Sequence, residues 1–250
     1  MQDPSPAGGQ LQVSTEGAVE ALLSRLAAVR ERIVRACDAA GRPAGAVRLL
    51  AVSKLQSAQA VRTACLAGQQ AFGENYVQEA LDKIAELADL REQIEWHLIG
   101  PLQSNKTRQA AEAFDWVQSV DRLKIAQRLN EQRPASLAPL NVCLQVNVSA
   151  ESSKSGLALS EVPAVAHAVA ALPRLRLRGL MAIPEPAAGW AAQRLPHRQM
   201  HELFGALRAQ GLALDTLSLG MSDDLEAAVH EGSTMVRVGT ALFGARPPRA

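Results

Sequence analysis

Aromatic residues are scarce in this chain of 250 residues, which has one Tyr, three Trp and four Phe. So small a set does not furnish the stacking platforms on which single-stranded nucleic acid is bound. Charge of one sign is also missing in excess: 26 basic residues stand against 25 acidic ones, for a formal net charge of +1. That balance excludes a broad electrostatic footprint for nucleic acid or an anionic membrane, so any bound anion must be met locally. No apolar run approaches the roughly 18 residues of a membrane span. The opening stretch "MQDPSPAGGQLQVS" has neither the basic nor the apolar region of a secretory signal. The three cysteines, Cys37, Cys65 and Cys143, are odd in number and fall at no metal-ligand or redox spacing. Together these absences predict a cytoplasmic, reduced protein whose cysteines pack as small hydrophobes.

What is present is aliphatic and periodic. Val19, Leu22, Leu23, Leu26, Val29, Ile33 and Cys37 recur at helical spacing, which predicts a long leading helix from Thr15, its N-cap, to Ala40, with Gly41 as its stop. Residues 1–13 read as a flexible arm, 14–245 as one domain and 246–250 as a flexible tail. Eight β-rich runs follow, alternating with amphipathic stretches: "VRLLAVSK", "QAFGENY", "EWHLIGPL", "DWVQSV", "NVCLQVNV", "LRLRGLMAI", "TLSLGM" and "MVRVGTALFG". Eight parallel strands with helical crossovers in this length predict a single closed (β/α)8 barrel, the TIM-barrel architecture. A doubly wound sheet fits less well, because the first strand is not followed by a glycine-rich dinucleotide turn.

In such a barrel the C-terminal strand ends form the functional face. The polar residues there include Lys54, Asn75, His97, Ser222, Arg237 and Thr240, together with Gly239. Alternation along the eighth strand puts Met235, Arg237 and Gly239 on one face and Val236 and Val238 on the other. If the valines meet the helices, the arginine points inward. Leu50, Val52 and Lys54 form the matching inward set on the first strand. Ser222 begins the turn after the seventh strand, beside Met221 and a helix expected near Asp223, and Gly239 and Thr240 follow the eighth. Those two turns are the usual phosphate site of this barrel class. A lysine amine, a phosphate cradle and an inward guanidinium meet the needs of a phosphorylated aldehyde such as pyridoxal 5'-phosphate. Arginine keeps its proton, so it leaves a facing ring nitrogen as an unprotonated acceptor and a weaker electron sink.

The segments "AVSK", "FGENYVQE", "WHLIGPLQSNK", "SVD", "GLMAI", "LSLGMSDDLEAAV" and "VRVGTALFG" closely resemble the pyridoxal phosphate homeostasis proteins, the YggS/PROSC family, over roughly residues 47 to 244. The resemblance implies a Schiff base on Lys54, phosphate held by Ser222, Gly239 and Thr240, and Arg237 facing the pyridine nitrogen. It also implies a barrel similar to the N-terminal domain of alanine racemase and a role in supplying, buffering or disposing of the free cofactor. PLP-dependent apo-enzymes would be transient partners of a monomer.

Some of these residues have plainer readings. Asn75 either contacts the ligand or caps the helix that begins in "GENYVQE". His97 either lines the pocket or is a hydrogen-bonded core histidine, and no second His or Cys lies at metal-ligand spacing. Met221 is pocket wall or core. Asp223 and Asp224 are explained by the dipole of the helix they open. The alternative to a non-catalytic carrier is a PLP-dependent amino-acid racemase. Racemisation needs bases on both faces of the substrate, and Lys54 serves one. Tyr76 is the single tyrosine available for the other, and the chain ends soon after its eighth strand, so a carrier is the expected function.

Overall fold

Eight parallel strands close into a barrel in sequence order, with the eighth hydrogen-bonded to the first. The computed structural model in which they are seen describes residues 8–149 and 155–244. The strands are β1 (Arg48–Val52), β2 (Ala71–Glu74), β3 (Glu95–Leu98), β4 (Trp116–Val120), β5 (Leu140–Val146), β6 (Leu175–Ala182), β7 (Thr216–Ser218) and β8 (Met235–Val238). Helix α1 (Gly8–Ala39) precedes the barrel. After successive strands come α2 (Ala58–Leu66), α3 (Val77–Glu86), α4 (Thr107–Ala113), α5 (Leu123–Gln132), α6 (Val162–Ala170), α7 (Trp190–Ala209), α8 (Leu225–His230) and α9 (Thr240–Phe243). The expected (β/α)8 barrel with an extra N-terminal helix is the observed one.

Period-two alternation sorts the strand residues into two cores. Ala51, Phe72, Trp96, Val117, Val142, Leu144, Leu217, Val236 and Val238 belong to the large apolar shell shared with the helices. Inside the barrel sit two small clusters, one of Leu50, Ala71 and Met235 with Ile99 against it, the other of Trp116, Cys143 and Met181. All three cysteines are buried and reduced. Burial pushes the Cys143 thiol up to about 12, so it packs as a hydrophobe, as expected.

Helix α1 starts at Gly8, earlier than a cap at Thr15 predicts, and residues 8–13 assigned to a flexible arm lie in it. Gln10, Leu11 and Gln12 favour the helix, and a threonine inside one costs only a few tenths of a kcal/mol relative to such residues, about 0.5. A cap-type residue is thus not by itself a boundary. The rest of that arm, residues 1–7, and the tail at 246–250 lie outside the described residues. The helix packs on the outer layer of the barrel, against α8, α9 and α2. Arg32 makes two hydrogen bonds to the Glu226 carboxylate on α8, of 2.7 and 2.6 Å. Arg25 donates to the Leu242 carbonyl of α9 at 2.9 Å. Among the described residues no helix is long and apolar enough to cross a membrane.

Candidate functional site

A cavity of about 380 Å³ opens at the C-terminal mouth of the barrel. Val52, Lys54 and Gln56 line it from β1 and the turn that follows, and Asn75 and Ile99 from the ends of β2 and β3. Ile183 lines it after β6, Met221, Ser222 and Asp223 after β7, and Arg237, Gly239 and Thr240 from β8 and its turn. Its size falls in the range of small-molecule sites, roughly 300 to 1,000 Å³. Of the residues assigned to the site from sequence, Lys54, Asn75, Met221, Ser222, Arg237, Gly239 and Thr240 meet here. His97 does not.

Lys54 stands just past β1, on the face it shares with Val52 and with Leu50 of the inner core. The chain turns sharply after it: Leu55 has φ +60°, the one positive φ outside glycine among the described residues. The backbone around the lysine is held from behind. Ser53 N–H donates to the Gly73 carbonyl at 2.9 Å, and the Ser53 carbonyl accepts from Gln56 N–H at 3.0 Å and from Lys83 Nζ at 2.6 Å.

Arg237 is held by its head. It is almost fully buried, with Nη1 donating to the Ser218 carbonyl at 2.6 Å and to Ser218 Oγ at 2.8 Å. Nη2 donates to the Ala182 carbonyl at 2.8 Å, so one guanidinium ties β8 to β7 and β6. Burial lowers it to about 10, which still leaves it protonated near neutral pH. Below Ser218 a hydrogen-bonded chain continues down the barrel. Ser218 Oγ donates to Gln118 Oε1 at 2.7 Å, and Gln118 Nε2 meets His97 Nδ1 at 2.9 Å. His97 Nε2 meets Glu95 Oε1 at 2.7 Å.

That chain is where His97 belongs. It is fully buried in β3 and stacks on Trp116 with ring centroids 5.0 Å apart, two residues below the Ile99 that reaches the cavity. Two residues of strand are roughly 6.6 Å of depth. The pocket reading of His97 is therefore corrected to the core reading. Burial lowers its basicity, and the amide of Gln118 donating to Nδ1 fixes the neutral tautomer that donates from Nε2 to Glu95. Burial alone would raise Glu95, but the hydrogen bond from His97 and the charge of Arg48, 2.9 Å away, bring it down to about 2.

The phosphate-type turns have the expected place and a different construction. Helix α8 starts at Leu225 and not at Asp223, because the Asp224 carboxylate folds back to accept from Met221 N–H at 2.7 Å. The other Asp224 oxygen accepts from His197 Nε2 at 2.9 Å. Asp224 thus builds the turn that presents Ser222. Gly220, at φ +86°, makes the turn possible, since a Cβ there would lie 2.5 Å from Ala228 Cβ. Across the cavity, a Cβ on Gly239 would lie 3.3 Å from the Val52 carbonyl, so the missing side chain lets β8 close on β1.

Asn75 does not cap α3: the N-cap is Tyr76 and makes no side-chain cap bond. Asn75 instead lines the mouth, on the main cavity and on an adjoining cleft shared with Ile99, Gly100, Gln145 and Asn147. Sequence reasoning missed Gln56, Ile99, Ile183 and Asp223 as lining residues, and it missed His197. Strand phase signals Val52, two residues before Lys54. Nothing local signals Ile183 or His197, whose positions depend on packing between distant elements. Among the described residues no three His, Cys, Asp or Glu side chains gather as a metal site.

The sequence model of the alanine racemase N-terminal domain family matches residues 24–247 of the chain. The chain is 64% identical over 225 residues to the pyridoxal phosphate homeostasis protein of Pseudomonas aeruginosa, covering 90% of this chain and 96% of that protein. It is 57% identical over 222 residues to the protein of the same name from Escherichia coli K12, covering 88% and 95%. PipY of Synechococcus elongatus PCC7942, solved with PLP bound, superposes with a TM-score of 0.78 at 40% identity, covering 89% of this chain and all of that one.

Proposed function

The chain belongs to the pyridoxal phosphate homeostasis proteins, built on the alanine racemase N-terminal domain, and on that premise we propose that it binds pyridoxal 5'-phosphate on Lys54 as a carrier of the free cofactor. The observation that carries the reading is the meeting of Lys54, the buried guanidinium of Arg237 and the Ser222 and Thr240 hydroxyls in one cavity. The residues fit the group. The cavity has room for a substituted pyridine and its phosphate, and Ser222 and Thr240 offer hydroxyl donors for an anion at its rim. When bound, the cofactor supplies an aldehyde carbon able to hold an amine as a Schiff base.

Lys54 would be the residue that holds the cofactor through its amine, the aldehyde supplying the carbon for that attachment with loss of one water. Ser222 and Thr240, whose hydroxyls line the cavity, would hold the phosphate. Arg237 has five N–H donors, of which Ser218 and Ala182 take three among the described residues, and one of the other two would serve a ring nitrogen, which accepts a single hydrogen bond. A charged arginine there supports holding the cofactor over driving carbanion chemistry. Tyr76 supports the same choice: it is 51% exposed and stands outside the cavity lining, so no second base opposes Lys54 from that position.

Two assays on the cofactor-loaded protein test the reading. Incubation with single-enantiomer amino acids in deuterated water should give no inversion above the level of Lys54→Ala. Lys54-dependent inversion at ordinary enzymatic rates, on the order of 1 to 10³ per second, would replace the carrier by a racemase. The absorption spectrum should carry an imine band that Lys54→Ala lacks, and a spectrum identical in the two proteins would remove Lys54 from the site.

A further inference from the structure

Behind Lys54, in the layer between the barrel and α3, lies a buried ionic cluster whose charged side chains are not among the cavity-lining residues described above. Lys83, on α3, is 6% exposed. Its ammonium has three donors, and all three are used: on the Ser53 carbonyl at 2.6 Å, Glu74 Oε1 at 2.8 Å and Glu79 Oε1 at 2.7 Å. Glu74 ends β2, is fully buried and also accepts from Ser53 Oγ at 2.6 Å. Glu79 accepts from Leu55 N–H. The hydrogen bonds from this cluster to the turn after β1 therefore end on Ser53 and Leu55, the two neighbours of Lys54.

A buried ion cluster is a poor source of stability compared with apolar packing of the same volume, because its charges must first leave water. What it provides is geometry. Leu55 occupies the left-handed region, which a leucine leaves readily for the extended or right-handed region unless something holds it. The bond from Leu55 N–H to Glu79 holds it, and Lys83 fixes both Glu79 and the Ser53 carbonyl on the other side. With both flanking peptides fixed, the direction in which the Lys54 side chain leaves the backbone is fixed too, while the amine itself stays at the cavity.

We propose that α3 acts as an alignment clamp for Lys54, with Glu79 and Lys83 as positioning residues that set the aim of its amine toward the cofactor aldehyde without touching the cofactor. The proposal rests on the reading of Lys54 as the attachment residue. It separates two parts of binding that a merely structural cluster would change together. Capture of the aldehyde depends on the clamp, whereas the phosphate and the ring nitrogen are met by residues of β7 and β8 that the clamp does not reach.

The test compares PLP with pyridoxine 5'-phosphate, which keeps ring and phosphate and has an alcohol where the aldehyde was, on the full chain and on Glu79→Gln, Glu79→Ala, Lys83→Met and Leu55→Gly. Misplacing a reacting group by about 1 Å costs on the order of 100-fold, so Lys83→Met should weaken PLP about tenfold or more and slow borohydride trapping on Lys54 similarly. Glu79→Ala should follow with a smaller loss, and Glu79→Gln, which keeps an acceptor for Leu55 N–H, should restore most of it. Pyridoxine 5'-phosphate affinity should change less than about twofold in every variant. Leu55→Gly guards against loss of fold, since glycine accepts φ +60° and every side chain of the cluster remains. It should slow trapping through backbone freedom alone. Equal losses for both ligands, or a wild-type preference for the aldehyde that survives both Glu79→Ala and Lys83→Met, would overturn the clamp. Wild-type protein that binds both ligands equally and yields no Lys54 adduct would instead overturn the attachment reading, and the clamp with it.

Discussion

Lys54 and Arg237 enter the same cavity from neighbouring strands, and the bonds around them act at different points, on the backbone beside the lysine and on the head of the arginine. Arg237 is secured at its charged head, by Ser218 and Ala182 and by the hydrogen-bonded chain that runs on through Gln118 and His97 to Glu95. Lys54 is secured at its backbone, by contacts to the residues on either side of it. The difference follows from what each group does. A guanidinium that serves as a fixed donor works best when its other donors are already satisfied and it cannot move. A lysine proposed to meet a reacting carbon gains its aim from the backbone that carries it, which is what the bonds to Ser53 and Leu55 hold.

The contrast is broken most directly by removing each head. Arg237→Met removes the donor from the Ser218 and Ala182 carbonyls in the core, and at about 1 to 3 kcal/mol for each buried group left unpaired it should cost about 2 to 6 kcal/mol in urea unfolding. Lys54→Met, at a partly exposed position, should cost less than about 1 kcal/mol. Equal losses would mean that both residues are held in the same way. A second comparison isolates the anion side. Each charge-assisted hydrogen bond is worth roughly 1.5 to 3 kcal/mol, so Ser222→Ala with Thr240→Ala should raise the Kd for PLP at least about tenfold and leave pyridoxal, which lacks the phosphate, nearly unaffected. A parallel loss for pyridoxal would show that the hydroxyls serve the ring or the fold.

The smallest effect is expected at the far end of the arginine's chain. The Glu95 carboxyl is held near 2 against an ordinary 4.5, so its contribution to stability is complete above about 4.5 and is lost as the pH falls toward 2. Discounted for its partial exposure, that amounts to about 1 to 2 kcal/mol. Glu95→Gln should flatten the acid limb of unfolding free energy against pH by that amount while leaving aldehyde capture by Lys54 unchanged. An unchanged acid limb would show that Glu95 is not held by His97 and Arg48 in solution.

The barrel was legible in the sequence because its strands alternate so regularly. Val236 and Val238 in the helix-facing shell and Met235 and Arg237 inward follow from period two alone, as does the inward set of Leu50, Val52 and Lys54. Depth along the barrel axis was not legible. His97 shares a face with Ile99, yet only Ile99 reaches the cavity, and phase does not say how far up a strand the barrel ends. Nor was the support of the site. Glu79 and Lys83 are four residues apart on α3, a spacing that by itself says only that the two side chains can meet on a helix surface. In the fold Lys83 lies on the buried face with Val77 and Ala80, because Glu74 at the end of β2 needs a cation. Only the folded chain brings those two segments together.

The central claim is that Lys54 is the residue that takes up the cofactor. Borohydride reduction of the PLP-loaded protein followed by peptide mapping tests it most directly. The account predicts a reduced pyridoxyl adduct on Lys54 and its loss in Lys54→Ala. An adduct found solely on another lysine, such as Lys106 or the clamp residue Lys83, would contradict it.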